Sequence, residues 1–253
     1  MLPKVRFKIK PLKNYTNAFY YFLNPKKGIW DWSGAILKEY PVLKRKLENI
    51  KGYKERCKVI YNFFEKLDKS KKLDLRKKCL KFQNEWDKIN DKALETLSDI
   101  AETKWPKNAM NITSYVTLNP ICPRWIKKRS FDVYYKFKIR MMKSVSLHEI
   151  FHFIYFEKWK KVFPKTKEKE FEMPHLVWHL SEMVPTVVLR DKRIQRIFKH
   201  EPLVYREYKT FKIKNRNLLR YIQEFYINKK DFADFLKKSW KFIKRNEKKI
   251  IKI

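Results

Sequence analysis

The chain has 253 residues, of which 44% are hydrophobic, 16% aromatic and 35% charged, and its formal net charge is +35. This apolar content is too high for a disordered protein, and the length suffices for one large domain or two small ones. Because only three glycines are present, glycine-rich phosphate-binding loops are excluded. The charge has two interpretations, a bound nucleic acid or an abundance of lysine along the whole chain.

Cysteine usage and hydropathy indicate the compartment. The three cysteines are odd in number and form no CxxC pair, so we expect neither a disulfide framework nor a zinc knuckle. The sequence contains no apolar run of 18 residues, and its first residues lack the continuous apolar core of a signal peptide. We therefore expect a cytoplasmic protein without a membrane span.

The first part of the chain is predicted to be mainly helical. Residues 4–10 alternate basic and apolar side chains, which predicts a short strand. Residues 52–67 place apolar side chains at helical spacing, and a longer helix follows, with its apolar face running from Cys79 to Ile100. The two helices are expected to form an antiparallel pair within an N-terminal region of residues 1–105.

The rest of the chain predicts a small sheet followed by helices. Residues 111–118 are rich in β-branched side chains, and residues 131–137 alternate as a half-buried strand does. Helices are expected from near residue 139, from Pro174 to Pro185, around Leu218 to Phe225, and from Asp231 onwards. The expected fold class is α+β, with residues 106–253 forming the second domain.

The stretch from Ser146 to Phe153, SLHEIFHF, contains the pattern HExxH. Because positions i and i+4 share one face of a helix, His148 and His152 can direct both imidazoles at one metal ion, with Glu149 beside them. Shuffled sequences of this composition contain the pattern roughly once in 150 cases. The alternative is a pair of core histidines satisfied by hydrogen bonds.

A catalytic zinc site needs a third protein ligand in addition to the two histidines. Glu182 is the first candidate, because an unpaired carboxylate inside its apolar helix would be costly. It shares one helix face with His175 and His179, at positions i, i+4 and i+7. His179 is the second candidate for the ligand, and His175 is expected at the surface where this helix begins.

Together, HEIFH and the downstream Glu182 resemble the gluzincin branch of the zincin metallopeptidases, over residues 111–190. The three-histidine extension of the metzincins is absent, since Tyr155 and Lys158 occupy the positions of its glycine and third histidine. The resemblance implies a zincin-like fold and one catalytic Zn²⁺ held by His148, His152 and Glu182. It also implies that Glu149 acts as general base in the hydrolysis of a peptide or protein substrate.

Two further expectations concern the substrate, and one concerns a different function. Candidate donors to the oxyanion are His179, His200, Tyr205 and Tyr208. The strand at 111–118 is expected to be a sheet edge that pairs with an extended substrate. The alternative function is that of a basic nucleic-acid-binding protein, in which the zincin core is a scaffold or is degenerate.

Overall fold

The fold is α+β, as the sequence predicts, with 63% of the described residues in helices and a small mixed sheet. The structure is a computed structural model, and it describes residues 2–23, 32–107, 111–199 and 203–252. Within these ranges, no helix combines the length and the apolar character that a membrane crossing requires.

The elements of the first half run in chain order as β1 (Lys4–Ile9), α1 (Leu12–Phe22), α2 (Ser33–Glu39), α3 (Pro41–Leu47), α4 (Tyr53–Asp87), α5 (Asn90–Ala101), β2 (Asn111–Thr117), β3 (Arg124–Trp125) and β4 (Ser130–Tyr134). The second half contains α6 (Ile139–Val162), a 3-10 helix (Glu168–Phe171), α7 (Leu176–Val188), α8 (Lys192–Gln195), α9 (Arg206–Thr210), β5 (Lys212–Ile213), β6 (Arg216–Asn217), α10 (Leu218–Ile227), α11 (Phe232–Arg245) and α12 (Glu247–Ile250).

The chain folds into two compact units that alternate along the sequence. The sheet unit comprises Val5–Lys88 and Ile112–Met142, and the helical unit comprises Met1–Lys4, Ile89–Asn111 and Lys143–Ile253. The division into domains at residues 105 and 106 stays a prediction.

Helix α4 is one helix of 35 residues, where the sequence analysis expects a break between residues 67 and 79. The prediction is wrong because the lysine-rich segment between the two apolar stretches contains neither glycine nor proline, and lysine is a good helix former. One face of α4 is buried along its length, through Ile60, Phe64, Leu75, Phe82 and Trp86. Helix α5 then begins at Asn90.

Strand β2 lies inside the four-stranded sheet, whose order is β1-β2-β4-β3. It is parallel to β4, whereas β3 is antiparallel to β4. Because β2 has a neighbour on each side, the prediction that residues 111–118 form a free edge for substrate is wrong.

Strand β1 is at one edge of the sheet, and a side chain of α4 covers part of that edge. The backbone N–H of Phe7 donates to Gln83 Oε1 at 2.8 Å. Gln83 Nε2 in turn donates to the carbonyl of Val5 at 3.1 Å. One glutamine therefore satisfies a backbone donor and a backbone acceptor that edge strands normally leave open.

Strand β4 ends at Tyr134, and all five of its residues are buried. The prediction of a half-buried strand over 131–137 is therefore wrong in both length and exposure. Asp132 is fully buried, and both of its carboxylate oxygens accept from Lys10 Nζ at 2.8 Å. The same ammonium lies 3.8 Å from the ring centroid of Trp125. Burial raises the pKa of Asp132 to about 7, although the charge and hydrogen bond of Lys10 act against that rise.

The predicted C-terminal helices are confirmed as α10 and α11. On α10 the buried residues are Leu218, Ile222 and Tyr226. Helix α11 begins after Asp231, whose Oδ1 accepts from the backbone N–H of Asp234 at 2.7 Å. This N-terminal cap is the signal that places the start of the helix correctly from sequence.

Lys10→Met should lower the free energy of unfolding by about 3–5 kcal/mol, because it leaves the buried Asp132 carboxylate without its cation. The double variant Lys10→Met with Asp132→Leu should recover most of that loss, since no buried charge remains. Urea unfolding followed by circular dichroism measures both effects.

The matched control is Lys4→Met, which breaks an exposed ion pair to Asp91 of 2.7 Å. Screening by solvent limits the loss there to less than about 1 kcal/mol. A loss of similar size for Lys10→Met would contradict the importance of the buried pair.

Candidate metal centre

The HExxH residues lie in the middle of α6, whose start at Ile139 agrees with the prediction. From Ser144 to Phe156, every residue except Glu149 is buried. Such burial on all sides identifies a core helix. The rings of His148 and His152, one turn apart, have centroids separated by 4.8 Å and planes inclined at 72°.

Helix α7 places Glu182 in the core, since every residue from Leu176 to Val188 is buried. The first residue of the helix is Leu176, two residues later than the predicted Pro174, and His175 is its N-cap. His175 is half-buried at this end of the helix. Pro185 does not end the helix, which continues for three more residues.

The structure brings together the three residues proposed as metal ligands. Glu182 Oε2 lies 3.3 Å from His148 Nε2, and Glu182 Oε1 lies 3.6 Å from His152 Nε2. The three side chains offer ligand atoms that all lie within 4.8 Å of one another. His148, His152 and Glu182 expose 5%, 0% and 2% of their surfaces. His148 on α6 and Glu182 on α7 are 34 residues apart in sequence, and the two helices bring their side chains to one buried point.

The chemistry and spacing of this group fit a metal ion. Zinc bonds of about 2.0–2.2 Å at tetrahedral angles place neighbouring ligand atoms about 3.3–3.5 Å apart. The two distances from the carboxylate of Glu182, 3.3 and 3.6 Å, are close to that spacing. Nitrogen and carboxylate donors are also those that zinc accepts. The buried group could therefore hold a metal ion.

Aromatic packing behind His152 restricts the orientation of its ring. The ring of Phe156 stacks on His152 with centroids 6.3 Å apart and planes inclined at 19°. Phe171, from the 3-10 helix, stacks on Phe156 in turn at 4.3 Å. Because core side chains in contact on several sides occupy one rotamer, these stacked rings preorganise the imidazole.

Glu149 is the exception to the burial of the central part of α6, from Ser144 to Phe156. It follows His148 directly and is half-buried, whereas its neighbours on both sides are buried. The carboxylate proposed as general base is therefore the group of the motif that has access to solvent. A base that exchanges protons with water and substrate requires such access.

His179 lies outside the three-residue group and pairs with a tyrosine. Its Nδ1 is 2.9 Å from the hydroxyl of Tyr208, which is fully buried on α9. Burial lowers the pKa of His179 to about 4, although the charge of Glu182 acts in the opposite direction. Burial also raises the pKa of Tyr208 well above its usual value, and the charge of Glu182 adds to that rise. Both partners are therefore neutral at pH 7.

The structure describes three of the four residues predicted as oxyanion donors. His179 and Tyr208 form the hydrogen-bonded pair, and Tyr205 precedes α9 with its ring centroid 6.0 Å from that of Tyr208. His200 lies outside the described residues. No local signal in the sequence distinguishes Tyr208 from Tyr205, because the choice depends on packing against a helix 29 residues away.

His179→Gln should remove a pH dependence of stability between about pH 6.5 and pH 4. The pKa of His179 is about 4 in the folded chain, against about 6.5 for an unperturbed histidine. The unfolded chain therefore binds more protons in this window, so the stability is complete above pH 6.5 and falls on acidification, by up to about 1.4 kcal/mol per pH unit. Urea unfolding of parent and variant at pH 7, 6 and 5, both in EDTA, measures the difference. Parallel pH profiles would contradict it.

Comparison with known proteins finds no match. No protein-family model, no curated protein and no solved structure matches this chain. The interpretation of the site therefore depends on the residues and distances described above.

Proposed function

We propose that the chain is a zinc-dependent peptidase with a zincin-like fold, in which one Zn²⁺ is held by His148, His152 and Glu182. The observation that carries the proposal is the convergence of these three side chains at a buried point with ligand-like spacing. The HExxH pattern on α6 and the glutamate on a second, downstream helix support the gluzincin type.

The burial of Glu182 gives a physical reason to favour a cation at this point. A buried carboxylate without compensating charge costs several kcal/mol. Neutral imidazoles offer hydrogen bonds and no net charge, whereas a divalent ion carries two positive charges. A metal bound by these residues would therefore convert an unfavourable group into a stabilising one.

Zinc held by these three residues would supply Lewis-acid chemistry and lower the pKa of a water molecule towards about 7. Glu149 would act as general base, accepting a proton from water and later passing it to the nitrogen of the leaving amine. Its position beside His148 and its partial exposure support this role. The buried walls from α6 and α7 exclude other water and keep the local dielectric low.

The pair of His179 and Tyr208 is proposed to stabilise negative charge on the carbonyl oxygen of the substrate. With the hydroxyl of Tyr208 donating to Nδ1, the proton of the neutral His179 imidazole lies on Nε2, which becomes a donor. His179 lies three residues before Glu182 on α7, about one turn away, so the pair is near the ligand cluster. A neutral donor held by a buried partner needs little reorganisation during the reaction.

His148→Ala and His152→Ala should each abolish stoichiometric zinc, because each removes one of three protein ligands. Glu182→Gln should weaken zinc binding, since a neutral amide replaces a charged oxygen ligand. Elemental analysis after dialysis against limiting zinc measures the occupancy. The control His175→Ala alters a half-buried histidine at the start of α7 and should leave zinc content at the level of the parent.

These measurements distinguish a metal centre from a pair of core histidines. A parent chain that stays free of metal in excess zinc would contradict the proposal. So would full occupancy in either histidine variant.

Glu149→Gln should retain zinc and lose hydrolysis by about 10²–10⁴-fold, because it keeps the shape of the side chain and removes the base. Cleavage of a quenched fluorescent peptide library measures the loss beside zinc content. Glu157→Gln, two turns further along α6, is the matched control and should cut as the parent does. Loss of zinc from Glu149→Gln would refute its role as base, and a zinc-loaded parent that cuts no peptide would refute the peptidase.

A further inference from the structure

Helix α11 separates its apolar and charged side chains onto two faces. The buried face consists of Phe232, Phe235, Leu236, Ser239 and Ile243. The exposed side chains of the helix are all cationic, namely Lys237, Lys238, Lys241, Lys244 and Arg245. Exposed cations continue beyond the helix at Lys248, Lys249 and Lys252.

Carboxylates compensate little of this charge. In the described part of the chain, Lys238 forms an ion pair with Asp234 at 2.7 Å. No carboxylate of the described residues forms an ion pair with Lys237, Lys241 or Lys244. These three lie at positions i, i+4 and i+7, so they form a row along one side of α11. We call this row the α11 basic face.

A half-buried tryptophan borders the α11 basic face. The ring of Trp240 packs edge-on against buried Trp159, with centroids 5.3 Å apart and planes inclined at 86°. Lys244 Nζ lies 5.7 Å from the centroid of Trp240, and half-buried Phe163 is 6.2 Å away. Packing against Trp159 and Phe163 thus holds a partly exposed aromatic ring beside a cation.

We propose that the α11 basic face together with Trp240 binds single-stranded nucleic acid. The row from Lys237 to Lys244 extends about 10 Å, which is long enough for its three cations to contact successive phosphates of one strand. Cations that follow the backbone beside an aromatic ring that stacks on a base are the two features of such binding sites. This proposal does not rest on the metal centre or on peptidase activity.

The burial of the apolar face of α11 argues against an anionic membrane as the partner. A helix that binds a membrane inserts its apolar face among the acyl chains. On α11 that face is turned into the protein, so the exposed surface offers charge and part of one aromatic ring. A flexible polyanion with stackable bases matches this surface better than a lipid bilayer does.

The test compares two triple variants of the full chain that remove equal charge. One is Lys237→Gln/Lys241→Gln/Lys244→Gln, and the control is Lys44→Gln/Arg45→Gln/Lys46→Gln on α3, where all three side chains are also exposed. Fluorescence anisotropy of a labelled 20-residue oligothymidine is measured from 50 to about 300 mM salt. The α11 variant should bind at least about tenfold more weakly, and its salt slope should fall by about 2, since each lost phosphate contact contributes about 0.7. The control should bind nearly as the parent does.

Variants of Trp240 provide a second test of the proposal. Trp240→Ala should weaken oligothymidine binding by about tenfold, because stacking on one base is lost, whereas Trp240→Phe keeps a ring and should bind nearly as the parent does. Urea unfolding of both variants checks that the fold survives the altered packing against Trp159.

Three outcomes would overturn the proposal. The first is an equal loss of affinity in both triple variants, which would assign the binding to total charge. The second is unchanged binding by Trp240→Ala. The third is binding to phosphatidylglycerol vesicles that excess oligothymidine does not displace.

Discussion

The helical unit is organised around one constraint, the burial of the Glu182 carboxylate in the middle of a helix that has no exposed residue. A carboxylate in such a place requires compensation, and the compensation has to come from another element. Helix α6 provides it by presenting two imidazoles, one turn apart, at 3.3 and 3.6 Å. The stacked rings of Phe156 and Phe171 then fix the orientation of one of these imidazoles. The site and the core of the unit are therefore the same packing arrangement.

Two carboxylates are buried among the described residues, Asp132 and Glu182, and their partners differ. Both oxygens of Asp132 accept hydrogen bonds from the ammonium of Lys10, and the ring of Trp125 lies against that ammonium. The carboxylate of Glu182 lies beside two histidines instead, although lysine is abundant in this sequence. An ammonium would neutralise the carboxylate permanently and occupy its lone pairs, whereas imidazoles leave room for an exchangeable cation. The contrast supports a binding role for the second group and a structural role for the first.

Local patterns predict the parts of the fold that depend on nearby residues. The spacing of His148 and His152, the start of α6 and the aspartate cap of α11 are all contained within one or two helical turns. Glu182 could also be proposed from sequence, because a charged residue in an apolar helix is conspicuous. These predictions succeed because periodicity and capping are short-range properties.

Long-range contacts explain the predictions that fail. Strand alternation places Asp132 on a solvent-facing side, and only its contact with Lys10, 122 residues away, makes its burial possible. The inner position of β2 depends on pairing with both β1 and β4, which no pattern within β2 reveals. The same holds for Tyr208, which is distinguished from Tyr205 by packing against α7. The break expected in α4 is a different case. It is absent because no glycine or proline interrupts the helix.

The glutamine that covers the edge of β1 has a consequence for how copies of the chain behave at high concentration. Open strand edges recruit strands from other molecules, and this edge-to-edge growth leads to fibrils. Gln83 satisfies the N–H of Phe7 and the carbonyl of Val5 from within the same unit, so an incoming strand would have to displace both hydrogen bonds. The basic residues Lys4, Arg6 and Lys8 alternate along the same strand and repel a second copy of it. The side chain of one helical residue and the charge of the strand together keep β1 from becoming a template for aggregation.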